Sequence, residues 1–165
     1  MPSKFKHFLL LSLVSIIGAA HAGDRNQDVF QVQVLKNATV FSNSNTMLTV
    51  DGEWAKTTQY LRSDQVSIEC VGSAAKSMKG EERTRGTYIE ARRDANIIKA
   101  SISIKDVEPQ VLPSNMEKCV QITANEQKSK KVDVEFTVTD TSKSEFTKDI
   151  GDGFSIVLKT ARLVN

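Results

Sequence analysis

Strict alternation of apolar and polar side chains is the feature that most limits what this chain can fold into. In residues 27–36, QDVFQVQVLK, the apolar residues Phe30, Val32 and Val34 are separated by single glutamines. An extended strand places successive side chains on opposite faces, so this segment predicts a strand with one apolar face. The same pattern recurs in three later segments: 65–71, 96–104 and 132–138.

About nine short strands can be placed after residue 26, and no long segment has a helical period. Residues 38–42 either continue the first strand or form a second one, and 154–164 forms the last. Strands of this length, separated by regular turn signals, are typical of a sandwich. We predict an all-β chain, an immunoglobulin-like antiparallel β-sandwich with one disulfide; a barrel is the alternative.

Turn residues predict how some of these strands connect. Asp51-Gly52 is a strong two-residue hairpin signal, and predicts that 46–50 returns as 53–61. That return strand would offer Trp54 and Tyr60 to the core. Residues 72–86 contain three glycines and a dense run of charges, which predicts a surface loop.

The first 22 residues read as a leader rather than as part of the fold. Two lysines precede an apolar run over 8–17, and Ala20-His21-Ala22 fits a small-x-small cleavage site. We therefore expect a signal peptide over 1–22 and one sandwich domain over 23–165. A membrane anchor is the alternative, but the run is shorter than the roughly 20 residues a spanning helix needs. The leader predicts export to the periplasm or the extracellular surface, and the family resemblance given below adds a fimbrium.

The two cysteines, Cys70 and Cys119, predict one disulfide, because paired cysteines in an exported chain are normally oxidised. They enclose a long loop, for which the chain-entropy model gives roughly 4 kcal/mol of stabilisation. The alternative, a redox pair, usually requires a short Cys-x-x-Cys spacing.

Composition excludes several classes of function. Both histidines, His7 and His21, lie in the leader, so histidine-assisted nucleophiles and histidine metal sites are not expected. We expect no enzyme activity, no metal and no cofactor.

Of 22 basic and 20 acidic side chains, Lys4 and Lys6 fall in the leader, so the remainder is neutral. That balance argues against nucleic acid as a partner. No segment after the leader is apolar enough for an integral membrane span.

Two polar segments allow more than one interpretation. Residues 149–153, DIGDG, are either a fragment of a cation loop or a turn before the last strand. The charged run 81–85 and the pair Arg92-Arg93 either contact a charged partner or are solvated faces. The loop predicted over 79–86 is the better of these for recognition, because exposed loops on rigid sandwiches carry binding.

The two ends of the chain after the leader suggest a family. An alternating N-terminal segment, a neutral sandwich, and a final apolar strand preceded by Gly151 together resemble chaperone–usher fimbrial subunits, especially minor or tip subunits. In that family a neighbour's N-terminal extension completes a sandwich that lacks one strand. The usual aromatic near the C-terminus is replaced here by Val164.

The resemblance implies roles for six side chains through strand addition, in which main-chain hydrogen bonds give affinity and alternate side chains fill pockets. The donor side chains would be Phe30, Val32 and Val34. A C-terminal partner edge would be formed by Phe154, Ile156 and Leu158. Expected partners are other subunits and a periplasmic chaperone.

Two further functions remain open from the sequence. One is a self-contained secreted domain that binds a host or cell-surface protein in adhesion or virulence. The other is a periplasmic accessory or inhibitor module. Both predict that residues 29–35 pair within their own domain.

Overall fold

The structure is a computed structural model that describes residues 27–114, 118–138 and 143–162. Its regular elements are all strands, and no helix occurs in these ranges. The strands are β1 Gln27–Lys36, β2 Thr39–Thr49, β3 Ala55–Val71, β4 Ala74–Asp94, β5 Ile97–Asp106, β6 Lys128–Thr137, β7 Lys143–Gly151 and β8 Phe154–Arg162.

Two four-stranded antiparallel sheets pack face to face. Sheet A has the order β2-β1-β8-β7, and sheet B has the order β3-β4-β5-β6. The predicted immunoglobulin-like antiparallel sandwich with one disulfide is therefore confirmed. The chain crosses from sheet A to sheet B after β2 and returns after β6.

The core lies between the two sheets and is built from the alternation seen in the sequence. In β1 and β5 every second side chain is buried, as the period of two predicts. Phe136 of sheet B stacks on Phe30 of sheet A with ring centroids 6.1 Å apart, and on Phe146 at 6.2 Å. The most deeply buried apolar side chains are Phe30, Val32, Val34, Leu48, Ile89, Ala91, Ile98, Ile102, Ile104, Ile156 and Leu158.

A buried ion pair also joins the sheets. Asp28 of β1 forms an ion pair with the guanidinium of Arg93 on β4, and both side chains are almost completely buried. Arg93 Nε also donates to the Ala95 carbonyl at 2.7 Å. The interpretation of Arg92-Arg93 as solvated or partner-facing is therefore wrong for Arg93.

The hairpin expected at Asp51-Gly52 is not formed. This turn instead carries the chain between the sheets, and the Asp51 amide donates to the Arg93 carbonyl at 2.8 Å. Trp54, expected in the core, is 44% exposed and lies beneath the Arg92 guanidinium at 5.3 Å. A local hairpin signal was overridden because β2 pairs with β1 rather than with β3.

The surface loop predicted over 72–86 is also wrong. Residues 74–94 form one strand of 21 residues, and the predicted strands 53–61 and 65–71 merge into β3. Residues 118–124 form no regular strand, and an isolated bridge joins Ile122 to Ile68. Charged side chains are compatible with a strand where both faces meet water.

The disulfide between Cys70 and Cys119 is formed, with the two Cα atoms 5.8 Å apart. Such a bond fits an oxidising, extracellular or periplasmic setting. Within the described ranges no helix is long and apolar enough to cross a membrane. The expected signal peptide over 1–22 lies outside the described residues.

Candidate functional site

A two-stranded arm extends beyond sheet B. It consists of residues 61–71 of β3 and 74–85 of β4, because β5 pairs with β4 only from Gly86 onward. Ten residue steps along β3 correspond to about 33 Å. Gly86 sits at the root of the arm with φ of 142°. A Cβ there would lie 1.8 Å from the Gln59 carbonyl oxygen, so only glycine fits.

A cleft of about 590 Å³ opens at this root, between the edge strand β2 and the start of the arm. We call it the junction cleft. Two of its apolar side chains, Val40 and Leu61, are 56% and 72% exposed. Its lining residues are Val40, Phe41, Ser42, Thr58, Gln59, Tyr60, Leu61, Arg85 and Gly86.

Cations lie over both aromatic rings of the junction cleft. The Arg85 guanidinium is 4.7 Å from the Phe41 centroid, and Lys105 Nζ is 5.2 Å from the Tyr60 centroid. Arg85 is oriented by Asp106, whose Oδ1 lies 3.5 Å from Arg85 Nε. The cleft therefore combines two aromatic rings with a cation over the face of each.

A charged cluster borders the cleft on the side of the β1–β2 turn. Lys36 Nζ donates to Asp106 Oδ2 at 2.6 Å and also to Glu108 Oε1. The hydrogen bond to Asp106, followed by that to Glu108, raises the pKa of Lys36. This cluster joins the end of β1 to the end of β5 and holds one wall of the cleft in place.

Exposed apolar side chains are concentrated on the arm and on the segment beside it. The disulfide fixes residues 118–120 against the tip, where the Cys119 amide donates to the Ser73 carbonyl at 3.1 Å. Six of the large exposed apolar residues belong to this region: Leu61, Val71, Met78, Val111, Leu112 and Val120. An exposed apolar group of this kind commonly marks a protein contact.

Glutamine side chains cover the outer edges of two strands. The Gln59 amide pairs with both backbone groups of Asn43 on β2, at 3.2 and 2.7 Å. Gln110 does the same to Val66 on β3, at 2.7 and 2.8 Å. Gln121 accepts from the Cys70 amide at 3.1 Å. Each primary amide replaces part of a missing neighbouring strand, which protects edges that would otherwise recruit one.

The six residues proposed for strand addition lie together in the core of sheet A. Strand β1 is hydrogen-bonded to β2 on one side and to β8 on the other. Val32 lies directly opposite Leu158, and Val34 lies opposite Ile156. Phe30 and Phe154 are also buried. The donor residues and the partner-edge residues thus pair with each other inside one chain, and β8 is occupied on its other side by β7.

The segment 149–153 forms a turn. Gly151, Asp152 and Gly153 all have positive φ, and the Gly151 amide donates to Asp149 Oδ1 at 2.8 Å. The hydrogen bond from Lys130 lowers the pKa of Asp152. No group of three or more acidic, Cys or His residues able to hold a metal occurs in the described part of the chain.

Sequence reasoning missed the junction cleft. Its apolar members, Val40 and Leu61, lie at positions that read as ordinary strand residues, and they become neighbours only because β3 crosses to the other sheet. The signal that could have located it is Gly86, a glycine between a charged run and a clearly alternating strand.

No family model matches this chain, and no curated protein or solved structure compared with it matches either.

Proposed function

We propose that this chain is an exported, non-enzymatic and self-contained binding domain that holds a protein partner in the junction cleft and along the arm. The observation that carries the proposal is the distribution of apolar side chains. The space between the sheets is filled, yet Val40 and Leu61 remain exposed at the junction cleft, and Val71 and Met78 remain exposed farther along the arm. Aromatic side chains and arginine, as at Phe41 and Arg85, are enriched in protein interfaces relative to the rest of the surface.

The pairing of β1 supports a self-contained domain. The β1–β2 turn is tight, with Asn37 and Ala38 both at positive φ, and the Asn37 amide donates to the Gly153 carbonyl at 2.8 Å. Asp28 adds a buried ion pair to β4. Moving β1 into a neighbour would break all of these contacts and expose the core face of β8.

Site-specific cross-linking tests the binding proposal. A photoreactive amino acid replaces Leu61, and the full chain is expressed and irradiated in its own cells. We expect a discrete adduct with another protein that is absent when the same probe replaces exposed Lys148 on β7. Equal labelling from both positions would rule out the junction cleft as the binding site.

A second candidate is a fimbrial or surface-assembly subunit that acts by strand addition. It is favoured by the direct pairing of the N-terminal strand with β8, since an exchanged β1 would make the same contacts in a neighbour. The discriminating variant carries a copy of residues 24–36 after Asn165. Assembly by strand addition predicts a large rise in Tm and loss of polymers, whereas a self-contained domain predicts no change in either.

A further inference from the structure

One backbone edge of the arm has no strand beside it. On the side away from β3, the part of β4 between Ala74 and Arg85 pairs with no strand among the described residues, and β5 joins β4 only at Gly86. The Thr84 amide donates to Gln127 Oε1 at 3.1 Å, which covers the edge near the root of the arm. The open edge therefore runs over residues 75–83.

The contacts of β3 show which backbone groups point out of this edge. Both backbone groups of Val66 bond to Gln110, and both groups of Ile68 bond to Ile122, so these groups point away from β4. Two residues that lie directly opposite each other in antiparallel strands either hydrogen-bond to each other through their N–H and C=O groups, or both point these groups away from the shared side. Gly80 lies opposite Val66 and Met78 lies opposite Ile68, so Gly80 and Met78 present their N–H and C=O groups at the open edge.

Parts of two other strand edges are covered by side chains or by an irregular segment. Gln59 covers part of β2, while Gln110, Gln121 and Ile122 cover the outer edge of β3. Beyond Thr84 the open edge of β4 has no such cover among the described residues. An uncovered edge is a template for another strand.

We infer that two copies of this chain pair arm to arm along the open edge of β4, antiparallel, with Gly80 opposite Gly80. In such a pair, residues whose backbone groups point outward, such as Met78 and Gly80, must lie opposite outward-pointing residues of the other copy. The allowed registers therefore differ from one another by two positions. A shift in one direction places Lys79 opposite Lys79, and a shift in the other places Glu81 opposite Glu81. The register centred on Gly80 instead places Lys79 opposite Glu81 twice, which is favourable where the like-charged pairs are not.

The local side chains suit this pairing. Gly80 is exposed, and nothing lies within 4 Å of a Cβ built on it, so no segment packs on the face of the strand at the centre of the proposed pairing. Lys79 is largely exposed, and its contact with Glu81 within the strand is long, at 3.7 Å; Glu81 also accepts from Arg83 at 2.5 Å, and its second carboxylate oxygen is left for Lys79 of the other copy. The surface concerned is separate from the junction cleft, so the pairing stands whether or not the cleft binds a protein. Because the shared edge is short, the dimer is expected to be weak and dependent on concentration.

Charge reversal across the two-fold axis tests the register. In sedimentation velocity of the processed full chain, the wild type should shift from monomer toward dimer as concentration rises. K79E or E81K alone should weaken association by about tenfold or more, because each creates two like-charge contacts. An equimolar mixture of K79E and E81K should regain association, since every contact across the axis is then between opposite charges.

The matched control is K148E, which makes the same charge change on exposed β7 and should associate like the wild type. Wild type that stays monomeric, or a mixture that does not regain association, would overturn the proposal.

Hydrogen exchange of the wild type gives a readout that needs no variant. Exchange of the Gly80 amide should slow as concentration rises, and exchange that does not depend on concentration would overturn the proposal equally.

Discussion

Gly86 shows how a single residue permits the arm. Its φ of 142° and the 1.8 Å that would separate a Cβ from the Gln59 carbonyl leave no room for any side chain. At this point β4 leaves the four-stranded sheet and continues with β3 alone. The same backbone forms the floor of the junction cleft.

Replacing Gly86 with Ala should therefore destabilise the protein by about 3 kcal/mol or more, through overlap with β3 and a strained φ. The matched control is Gly80→Ala, where a Cβ meets no atom within 4 Å and the cost should stay within about 0.5 kcal/mol. Urea unfolding at low protein concentration measures both. Equal midpoints for the two variants would contradict the assignment of Gly86 as a steric requirement.

The hydrogen bonds of Lys36 should make the free energy of unfolding fall as pH rises in the alkaline range. Hydrogen bonds to Asp106 and Glu108 raise the pKa of Lys36 above its ordinary value of 10.5. A raised pKa in the folded state means that the stabilisation is complete below pH 10.5 and is lost as pH rises through the folded value. The difference in unfolding free energy between wild type and Lys36→Met should thus be constant from neutral pH to about 10 and shrink above 10.5. Denaturant titrations across this range test it, and a difference that grows with pH would contradict it.

At the scale of elements, local sequence signals succeeded where one face of a strand is buried. The strands over 96–104 and 132–138 were predicted correctly, because burial forces strict alternation there. The β4 half of the arm was predicted as a loop because most of its side chains are exposed and show no alternation, whereas 65–71 in the β3 half shows alternation and was predicted as a strand. The turn at Asp51-Gly52 was placed correctly but connected wrongly, since strand pairing is decided by non-local contacts.

The disulfide should matter most for the arm. It closes a loop with a sequence separation of 49 and fixes residues 118–120 against the tip. Replacing both cysteines with serine should cost up to about 4 kcal/mol and loosen the mutual backbone bonds of Ile68 and Ile122. Their amide exchange should accelerate at least tenfold more than that of β5 amides paired with β4. Uniform acceleration across both regions would show that the bond stabilises the whole domain rather than the arm.

For the whole molecule, the fold class can be predicted from the sequence, but the pairing of the first strand with the last cannot. Alternation and turn spacing predict two antiparallel sheets, because each strand has one face to bury. They do not specify that β1 lies between β2 and β8. The residue that ties β1 to the opposite sheet, Asp28, is polar and precedes the apolar run, so no hydrophobic pattern includes it. Its partner Arg93 lies 65 positions away in the chain.

Removing one member of this ion pair should weaken both sheets together. Asp28→Ala leaves a buried guanidinium without its carboxylate and should cost about 3–5 kcal/mol. Asp94→Ala, which breaks the half-exposed contact with Arg92 at 2.9 Å, is the control and should cost less than about 1 kcal/mol. Unfolding monitored by far-ultraviolet circular dichroism and Trp54 fluorescence measures both. A cost for Asp28→Ala no larger than the control would show that the buried pair does not hold the sheets together.

The glutamine amides that cover the strand edges make the protein sensitive to slow deamidation. Each side-chain amide at Gln59 and Gln110 both accepts from a backbone N–H and donates to a backbone C=O. Slow hydrolysis of such an amide leaves a carboxylate, which accepts but cannot donate. Deamidation at Gln110 would therefore leave the Val66 carbonyl facing a negative charge and detach the segment that shields β3, so chemical damage to one side chain would uncover a strand edge prone to aggregation.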